Sequence, residues 1–321
     1  TETGGVRCWG DGRLGQLGDG TTSHPTSPLT SDVLTGVQAI AAGYSHTCAL
    51  MQTGGVRCWG DNEYGQLGDG TTTNSSTPPT SDVLTGVQAI ATGGNHTCAL
   101  MQTGGVRCWG DDGSGQLGDL WTGTIRSTPP TSDVLTDVQA IAAGGSHTCA
   151  LMQTGGVRCW GSNFYGELGD GSTGTVRPSP LTNDVLTGVQ AVATGDYHTC
   201  ALMQTGGVRC WGYNYAGGLG DGTTTDSATP PISDALTGVQ SIATGEGFTC
   251  ALTQTGGVRC WGYNYNGQLG DGTTIASSTP PTSDALTGVQ AIATGSAHTC
   301  VLMQTGGVRC WGYGPSGALG D

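Results

Sequence analysis

A repeat of 50 to 51 residues runs through the chain and constrains its fold more than any other feature. The octet Thr-Gly-Gly-Val-Arg-Cys-Trp-Gly begins at seven positions, which are Thr3, Thr53, Thr103, Thr154, Thr205, Thr255 and Thr305. A second block occurs six times, and its first copy at residues 37–50 reads Val-Gln-Ala-Ile-Ala-Ala-Gly-x-x-His-Thr-Cys-Ala-Leu. Repeats of this length are typical of propellers and solenoids.

Within one unit, short β-prone runs alternate with Gly-rich turns, which predicts strands at 87–92, 97–101 and 106–109 and a fourth near 128–131. The first run is rich in alanine, and small side chains suit a crowded innermost strand. Twelve of the 13 prolines lie in the segments that include the fourth run. Because proline cannot donate to a strand ladder, the fourth strand is predicted at the outer edge. The sequence therefore predicts an all-β protein, a β-propeller of four-stranded antiparallel blades.

The order His-Thr-x-Ala-Leu-x-x-x-Gly-x-Val-x-x-Trp-Gly, followed by Gly-Gln-Leu-Gly, stands at residues 96–110 and 115–118. This order resembles the repeat of the regulator of chromosome condensation family, here in a bacterial-type form that contains disulfides. The resemblance covers essentially the whole chain and implies a seven-bladed propeller. It does not imply the founder's nucleotide exchange on a small GTPase at chromatin, because the basic surface needed for chromatin is absent.

The blade count has two interpretations. The half of the repeat that contains Cys-Trp-Gly occurs seven times, whereas the half that contains the second block occurs six times. The sequence begins and ends inside a repeat unit. We expect residues 1–321 to form a single propeller domain of six complete units and a terminal half unit, truncated at the N-terminus, with Thr1-Glu2-Thr3 as the end of a missing strand. Seven blades are favoured, and a six-bladed ring with surplus end strands is the alternative.

The cysteines predict a disulfide inside each complete hairpin. The loop Gln52-Thr53-Gly54 pairs Met51 with Gly55, so that Cys48 lies opposite Cys58 at a pair of strand positions close enough for a bridge. The predicted bridges are Cys48–Cys58, Cys98–Cys108, Cys149–Cys159, Cys200–Cys210, Cys250–Cys260 and Cys300–Cys310, which leaves Cys8 unpaired. Six bridges indicate an oxidising compartment and therefore an exported, extracellular or cell-surface protein.

Metal binding is the rival interpretation of these cysteines, because His46 shares a strand face with Cys48 and Cys58. In the fifth unit Phe248 replaces the histidine while both cysteines remain, so we predict neither a metal site nor a cofactor. The repeated histidines are then expected to form hydrogen bonds between blades; they are His46, His96, His147, His198 and His298. No acid, base or nucleophile breaks the repeat symmetry, and the chain is not expected to be an enzyme.

Charge limits the range of partners. The chain carries 24 acidic and 10 basic residues, with a formal net charge of −14. An acidic protein repels phosphate backbones and anionic membrane surfaces, so we expect no nucleic-acid partner. No stretch approaches the ~20 apolar residues of a membrane span, so membrane insertion is not expected either. The seven repeated arginines, Arg7 to Arg309, match seven Leu-Gly-Asp aspartates, Asp19 to Asp321, which predicts one ion pair per unit.

The units differ from one another in two windows. One window follows Trp-Gly and the other precedes the histidine, and together they contain all nine tyrosines and both phenylalanines. In an up-and-down meander both windows emerge at the same end of the strands, which predicts one diversified face with acidic residues at positions such as Asp61, Asp112, Asp196 and Glu246. The predicted binding face comprises Tyr44, Tyr64, Phe164, Tyr165, Tyr197, Tyr213, Tyr215, Phe248, Tyr263, Tyr265, Tyr313 and, near the rim, Trp121.

Tyrosine among Ser, Gly and Asn on rigid loops is the composition of binding paratopes. The sequence therefore favours a non-catalytic propeller that binds a basic or aromatic-tolerant protein surface through this face. The bacterial propeller that inhibits β-lactamase is similar in using loops of one face on a protein target. Relaxed drift of exposed loops is the plain alternative. Two other functions stay open: a structural subunit that self-assembles into a surface layer or filament, and a carbohydrate-binding propeller.

Overall fold

The computed structural model describes Thr1 and residues 4–321, and these residues contain twenty β-strands and no helix. The first three sheets comprise β1 (Val37–Ala42), β2 (His46–Met51) and β3 (Val56–Gly60); β4 (Val87–Thr92), β5 (His96–Met101), β6 (Val106–Asp111) and β7 (Ile125–Arg126); and β8 (Val138–Ala143), β9 (His147–Met152), β10 (Val157–Asn163) and β11 (Thr175–Arg177). The last three comprise β12 (Val189–Thr194), β13 (His198–Met203) and β14 (Val208–Gly212); β15 (Val239–Thr244), β16 (Phe248–Thr253) and β17 (Val258–Gly262); and β18 (Val289–Thr294), β19 (His298–Met303) and β20 (Val308–Gly312).

Every sheet is an antiparallel meander whose strands lie in chain order. The middle strand of each sheet pairs with the third through a tight turn, and Gly54 in the first turn has φ of 80°, a conformation that glycine adopts without steric cost. The innermost strand of each sheet carries a register shift near its start, as between Val87 and Ala89. The three strands predicted at 87–109 therefore lie where the sequence places them, with ends that differ by one or two residues.

The prediction of a fourth strand in every unit is wrong. Most described units have no fourth strand, and where one forms it lies at a different position from the predicted one. Among the described residues, a fourth strand occurs only in the second and third sheets, as β7 and β11, and it precedes the proline segment. In the other described units the outer segment makes isolated bridges instead, such as Gly60 with Ser75 and Val56 with Leu84. The prolines lack the N–H groups that a continuous ladder needs, so the outer segment touches the sheet at separate points.

Thr1 and residues 4–321 form six sheets, so the predicted seven blades are wrong. Successive inner strands contact each other from β1 to β18, but a cavity lined by Ile40, His298 and Cys8 separates the first sheet from the last. Residues between Arg7 and Leu17 contribute to the lining of this cavity, and the segment 4–34 contains no strand, although Val6 makes an isolated bridge with Leu34. The arrangement is therefore not a closed ring of sheets. Glu2 and Thr3, on which the expectation of a missing upstream strand partly rests, lie outside the described residues.

The hydrophobic core lies between neighbouring sheets. One cluster joins Leu50 and Val56 of the first sheet to Ala99 and Trp109 of the second, and equivalent clusters follow around the molecule. The indole Nε1–H of Trp109 donates to the carbonyl oxygen of Gln66, which belongs to the preceding unit. Four more tryptophan rings are buried between units and donate to a backbone carbonyl of the preceding unit in the same way; they are Trp59, Trp160, Trp211 and Trp261.

The inner strands approach so closely that a glycine is required after each of them. A Cβ atom at Gly195 would lie 2.5 Å from the carbonyl oxygen of Gly245 and 2.5 Å from the ring of His198. The same close approach joins Gly144 to Gly195. This steric demand explains why a glycine stands three residues before each histidine in the repeat.

Candidate interaction face

The six predicted disulfides are present between the predicted partners, each joining the second and third strands of a sheet. The Cα atoms of each pair are 4.1 Å apart, as expected for directly opposed positions. Cys8 is the free cysteine of the described residues, and burial raises the pKa of its thiol to about 11. A thiol with a raised pKa is a poor nucleophile at neutral pH.

Four of the five repeated histidines join one sheet to the next, and no such bond is seen for His298 of the last described sheet. His46 contacts Thr97, His96 contacts Thr148, His147 contacts Thr199 and His198 contacts Thr249, all through Nε2 and the threonine Oγ1 at 2.9–3.0 Å. Phe248 occupies the equivalent position in the fifth sheet and is fully buried. Its assignment to the binding face is therefore wrong, because the phenyl ring fills an inter-sheet position that the other units give to imidazole.

Both variable windows of a unit lie at the same end of its strands and are hydrogen-bonded to each other. The backbone N–H of Tyr213 donates to the carbonyl oxygen of Tyr197, and that of Tyr263 donates to Gly247. Equivalent bonds occur in the other described sheets, for example from Asp61 to Ser45. We call this end of the molecule the loop face. The constant turns, such as the one at Gly54, lie at the opposite end of the strands.

The aromatic residues of the predicted binding face differ in their exposure and in their contacts with other aromatic rings. Eight side chains are exposed; they are Tyr44, Trp121, Phe164, Tyr165, Tyr197, Tyr215, Tyr265 and Tyr313. Tyr64, Tyr213 and Tyr263 are half-buried. Contacts between rings bring together Tyr165, Tyr197, Tyr213 and Tyr215 in one cluster and Tyr263 with Tyr265 in a pair. The described ring contacts include none of Tyr44, Tyr64, Tyr313 and Trp121.

Tyr44 lies across the centre of the loop face. Its ring lies 3.0 Å from the position that a Cβ on Gly94 would occupy, and its hydroxyl lies equally close to the corresponding position on Gly145. The hydroxyl lies near the carboxylate of Asp196, and burial together with this negative charge raises the pKa of Tyr44. The residues Thr92, Thr194, Thr244 and Thr294 line the axial cavity beneath it. Tyr44 therefore covers the axis and links the first unit to the fourth.

Carboxylates dominate the electrostatics around the tyrosine cluster. Partial burial raises the pKa of Tyr197, and the negative charges of Asp196, Glu246 and Glu167 raise it further. The pKa of Tyr213 is raised by burial and by Asp226 and Glu246 among its neighbours. Burial raises the pKa of Asp196 to about 6, with a further contribution from Glu246. This part of the loop face therefore attracts cations and repels anions.

Two residues that the sequence places among the acidic spots of the face are buried instead. Asp61 accepts a hydrogen bond from Nε2 of Gln66, and Asp112 is fully buried with its Oδ1 accepting the backbone N–H of Leu117. Asn62, Asn163, Asn214 and Asn264 occupy the position of Asp112 in other units, and their amides brace the loop that follows. Burial and the nearby Asp119 raise the pKa of Asp112 to about 7. This substitution within the repeat was visible in the sequence, but its burial was not.

The predicted arginine–aspartate partners are also wrong. Arg57 forms an ion pair with Asp82, at 2.7 Å between Nε and Oδ1, and not with the Leu-Gly-Asp aspartate Asp69. The same pairing, with the aspartate 25 or 26 residues after the arginine, recurs from Arg7 to Arg259. Asp69 accepts hydrogen bonds from Thr71 and Asn62 instead. The outer segment crosses behind the third strand, and only this tertiary path brings its aspartate to the arginine.

No group of three His, Cys, Asp or Glu side chains within the described part of the chain is arranged to hold a metal ion. Over the same residues, no helix meets the length and hydropathy needed to cross a membrane.

Comparison with solved structures shows the same architecture in known propellers. Yeast RCC1 (Prp20), solved with bound Kap60, is 25% identical and aligns with a TM-score of 0.84 over 98% of this chain and 80% of that one. A second structure of Prp20p from Saccharomyces cerevisiae, described together with its binding to Gsp1p and histones, is 26% identical with a TM-score of 0.83 and covers 98% and 82% of the two chains. Human WBSCR16, at 24% identity and a TM-score of 0.84 over 98% and 89%, supports the fold alone.

Curated relatives match over shorter stretches. The ultraviolet-B receptor UVR8 of Arabidopsis thaliana is 36% identical over 90 residues, which is 28% of this chain and 20% of the receptor. The probable E3 ubiquitin-protein ligase HERC4 of Homo sapiens is 38% identical over 90 residues, 27% of this chain and 8% of that protein. The chain thus spans a fifth or less of these relatives. The model of the RCC1-like domain matches residues 5–321, so the chain belongs to the RCC1-like domain family.

Proposed function

We propose that this chain is a non-catalytic protein-binding propeller that is exported and that engages a protein partner through its loop face. The observation that carries the proposal is the cluster of four tyrosines, which brings together window residues from the third and fourth sheets on one exposed surface. Exposed tyrosine clusters on rigid loops provide large contact areas at low entropic cost. The protein partners of yeast Prp20 support the general mode of action.

The negative charge of the protein favours a partner with a basic surface. The net charge is −14, and the groups that act on Tyr197 and Tyr213 include Asp196, Glu246, Glu167 and Asp226. The six disulfides favour an oxidising location outside the cytosol. The remaining polar groups that are buried and repeated, such as the histidines, serve contacts between sheets, which favours a binding role over catalysis.

A selection from a phage-displayed random peptide library tests the proposal. The immobilised protein is expected to enrich basic peptides. The affinity of these peptides should fall at least tenfold for a variant with Tyr197→Ser, Tyr213→Ser and Tyr215→Ser. A matched control carries Thr103→Ala, Thr154→Ala and Thr205→Ala in exposed turns at the opposite end and should bind as the wild type does. Failure to enrich any peptide, or equal losses in both variants, would overturn the proposal.

A structural role is the second candidate, because the cavity between the first and last sheets leaves Ile40 exposed and could seat part of another subunit. Sedimentation velocity over a hundredfold range of concentration tests this candidate. Growth of oligomers with concentration would support it, and a constant monomer would exclude it. A glycan array tests the carbohydrate-binding alternative in the same way, since exposed tyrosines also stack on sugars.

A further inference from the structure

Three tyrosines on the loop face form a triangle of rings. Tyr165 lies between β10 and β11 of the third sheet, Tyr197 lies between β12 and β13, and Tyr213 follows β14. The ring centroids are 5.6 Å apart for Tyr165 and Tyr197, 4.7 Å for Tyr165 and Tyr213, and 6.0 Å for Tyr197 and Tyr213. We call these three residues the tyrosine triad. Tyr215 stacks on Tyr213 from outside the triangle, with centroids 6.3 Å apart and planes at 15°.

The dimensions of the triad suit a single cation. A point equidistant from the three centroids lies roughly 3 Å from each within their plane. A cation about 3.5 Å above that plane would be roughly 5 Å from every centroid, inside the ~6 Å limit for cation–π attraction. The planes of the three rings are tilted by 57° to 73° to one another, so the rings are not stacked into one flat surface.

The charges around the triad match such a ligand. Asp196 and Glu246 act electrostatically on Tyr197, and Glu246 acts on Tyr213 as well. The arginines of the neighbouring units are engaged elsewhere, because Arg158 pairs with Asp184, Arg209 with Asp234 and Arg177 with Asp170. The triad is therefore an aromatic surface in a negative field, and these arginines of the third and fourth units pair with other carboxylates.

We propose that the tyrosine triad binds the guanidinium group of an arginine side chain presented by the protein partner, with Glu246 as the accepting carboxylate. This proposal rests on the proposed function and names the chemistry of its contact. Arginine fits better than lysine for two reasons. Its planar, weakly hydrated guanidinium stacks on aromatic rings, and its fork of N–H donors can reach a carboxylate at the same time.

The test uses three short peptides that differ only in charge and shape. They are acetyl-Gly-Arg-Gly-Arg-Gly-amide and its counterparts with lysine or with citrulline, the neutral analogue of arginine. Binding is followed by NMR of the protein labelled on its tyrosine rings. We expect the arginine peptide to shift the triad resonances, with at least fivefold weaker binding of the lysine peptide and no binding of the citrulline peptide at the same concentrations.

Variants locate the contact. Tyr197→Leu and Tyr213→Leu should each weaken binding of the arginine peptide at least fivefold, whereas Tyr197→Phe, which keeps the ring, should retain it. Tyr265→Leu is the matched control, because Tyr265 belongs to an exposed pair with Tyr263 that has no third ring, with centroids 4.9 Å apart. Circular dichroism of each variant verifies that the fold is intact.

The outcomes separate this proposal from the proposed function. Equal binding of the citrulline or lysine peptide, an equal loss with Tyr265→Leu, or no binding of the arginine peptide at 10 mM, a concentration chosen for weak single contacts, would overturn the arginine assignment. If library peptides still bound the loop face in that case, the proposed function would stand without it. If the arginine peptide bound but no library peptide were enriched, the proposed function would fail instead.

Discussion

The Nε2 atom of His198 lies 3.0 Å from Oγ1 of Thr249 and joins the fourth sheet to the fifth. The hydroxyl of Thr249 donates to the carbonyl oxygen of Gly218, so it must accept from His198, and the imidazole carries its proton on Nε2. The Nδ1 atom is buried without a partner among the described residues. A second proton there would have no acceptor, and burial lowers the pKa of His198 to about 4.

We predict that acid destabilises the fold through these histidines. The unfolded chain takes up a proton near pH 6.5, while folded His198 resists protonation until about pH 4. Stability is therefore lost as the pH falls from 6.5 towards 4. His198→Phe should reduce this loss, because Phe248 shows that a phenyl ring fits the equivalent position. The measurement is the urea midpoint at pH 7 and at pH 4.5.

The reciprocal variant Phe248→His provides the control. It should place an imidazole opposite Thr299, whose hydroxyl also donates to a backbone carbonyl, and should increase the loss of stability between pH 7 and pH 4.5. Unchanged pH dependence in both variants would contradict the role assigned to the buried histidines.

For Asp112 we predict the opposite pH dependence of stability. Its pKa is raised to about 7, so the folded protein holds a proton that the unfolded chain releases near pH 4. Stability contributed by this group is therefore lost as the pH rises from about 4 through 7. Asp112→Asn restores the amide found in the other units and should raise the melting temperature at pH 8.5 more than at pH 4.5. Calorimetry at the two pH values measures the difference.

Asn163→Asp makes the reverse change, from amide to carboxylate, at the equivalent position of another unit. The amide of Asn163 donates to Asp170 and to the backbone carbonyl of Ser172, and a carboxylate would face these acceptors without a proton. This variant should lower the melting temperature at pH 8.5 and have a smaller effect at pH 4.5. A uniform effect at both pH values would show that charge is not the cause.

We predict that the protein contains a single free thiol and that each disulfide stabilises its hairpin. Labelling with iodoacetamide under denaturing, non-reducing conditions should modify one of the 13 cysteines, Cys8. Removing one bridge with Cys98→Ala and Cys108→Ala should cost about 2–3 kcal/mol of unfolding free energy, since each bridge closes a short loop. Mass spectrometry that finds free thiols at Cys98 and Cys108 in the unreduced wild type would contradict the pairing.

The glycine ring around the axis should not tolerate a methyl group. Gly195→Ala would place its Cβ 2.5 Å from the carbonyl oxygen of Gly245 and should cost about 1–3 kcal/mol through forced displacement. Gly307→Ala is the control, because nothing lies within 4 Å of its Cβ position, and its effect should be small. Chemical denaturation of both variants gives the comparison. Equal effects would mean that the inner strands can separate at little cost.

Much of the fold could be predicted from the repeated residues. The inner three strands follow from β-prone runs between glycine turns, and the disulfides follow from the register that the turn at Gly54 imposes on Cys48 and Cys58. The outer segment could not be predicted in the same way. Its prolines excluded an inner position, but its separate bridges and the pairing of Arg57 with Asp82 depend on how the chain crosses the sheet behind it.

The candidate interaction face could also be predicted only in part. The sequence showed that the tyrosines lie in two windows at one end of the strands, because strand order and parity are local properties of a meander. It also placed Phe248, Asp61 and Asp112 on that face, and all three are buried. Burial depends on the neighbouring unit, which the residues of one window do not specify.

The repeating hairpin, its disulfide and the end of the strands at which variation is concentrated all follow from the amino-acid sequence, because they depend on residues close together in the chain. The number of sheets, six over the described residues, and the meeting of Tyr165, Tyr197 and Tyr213 from two sheets in one triad follow from the packing of the sheets. Contacts between sheets join residues about one repeat apart, and how neighbouring sheets pack around the axis sets which residues become partners.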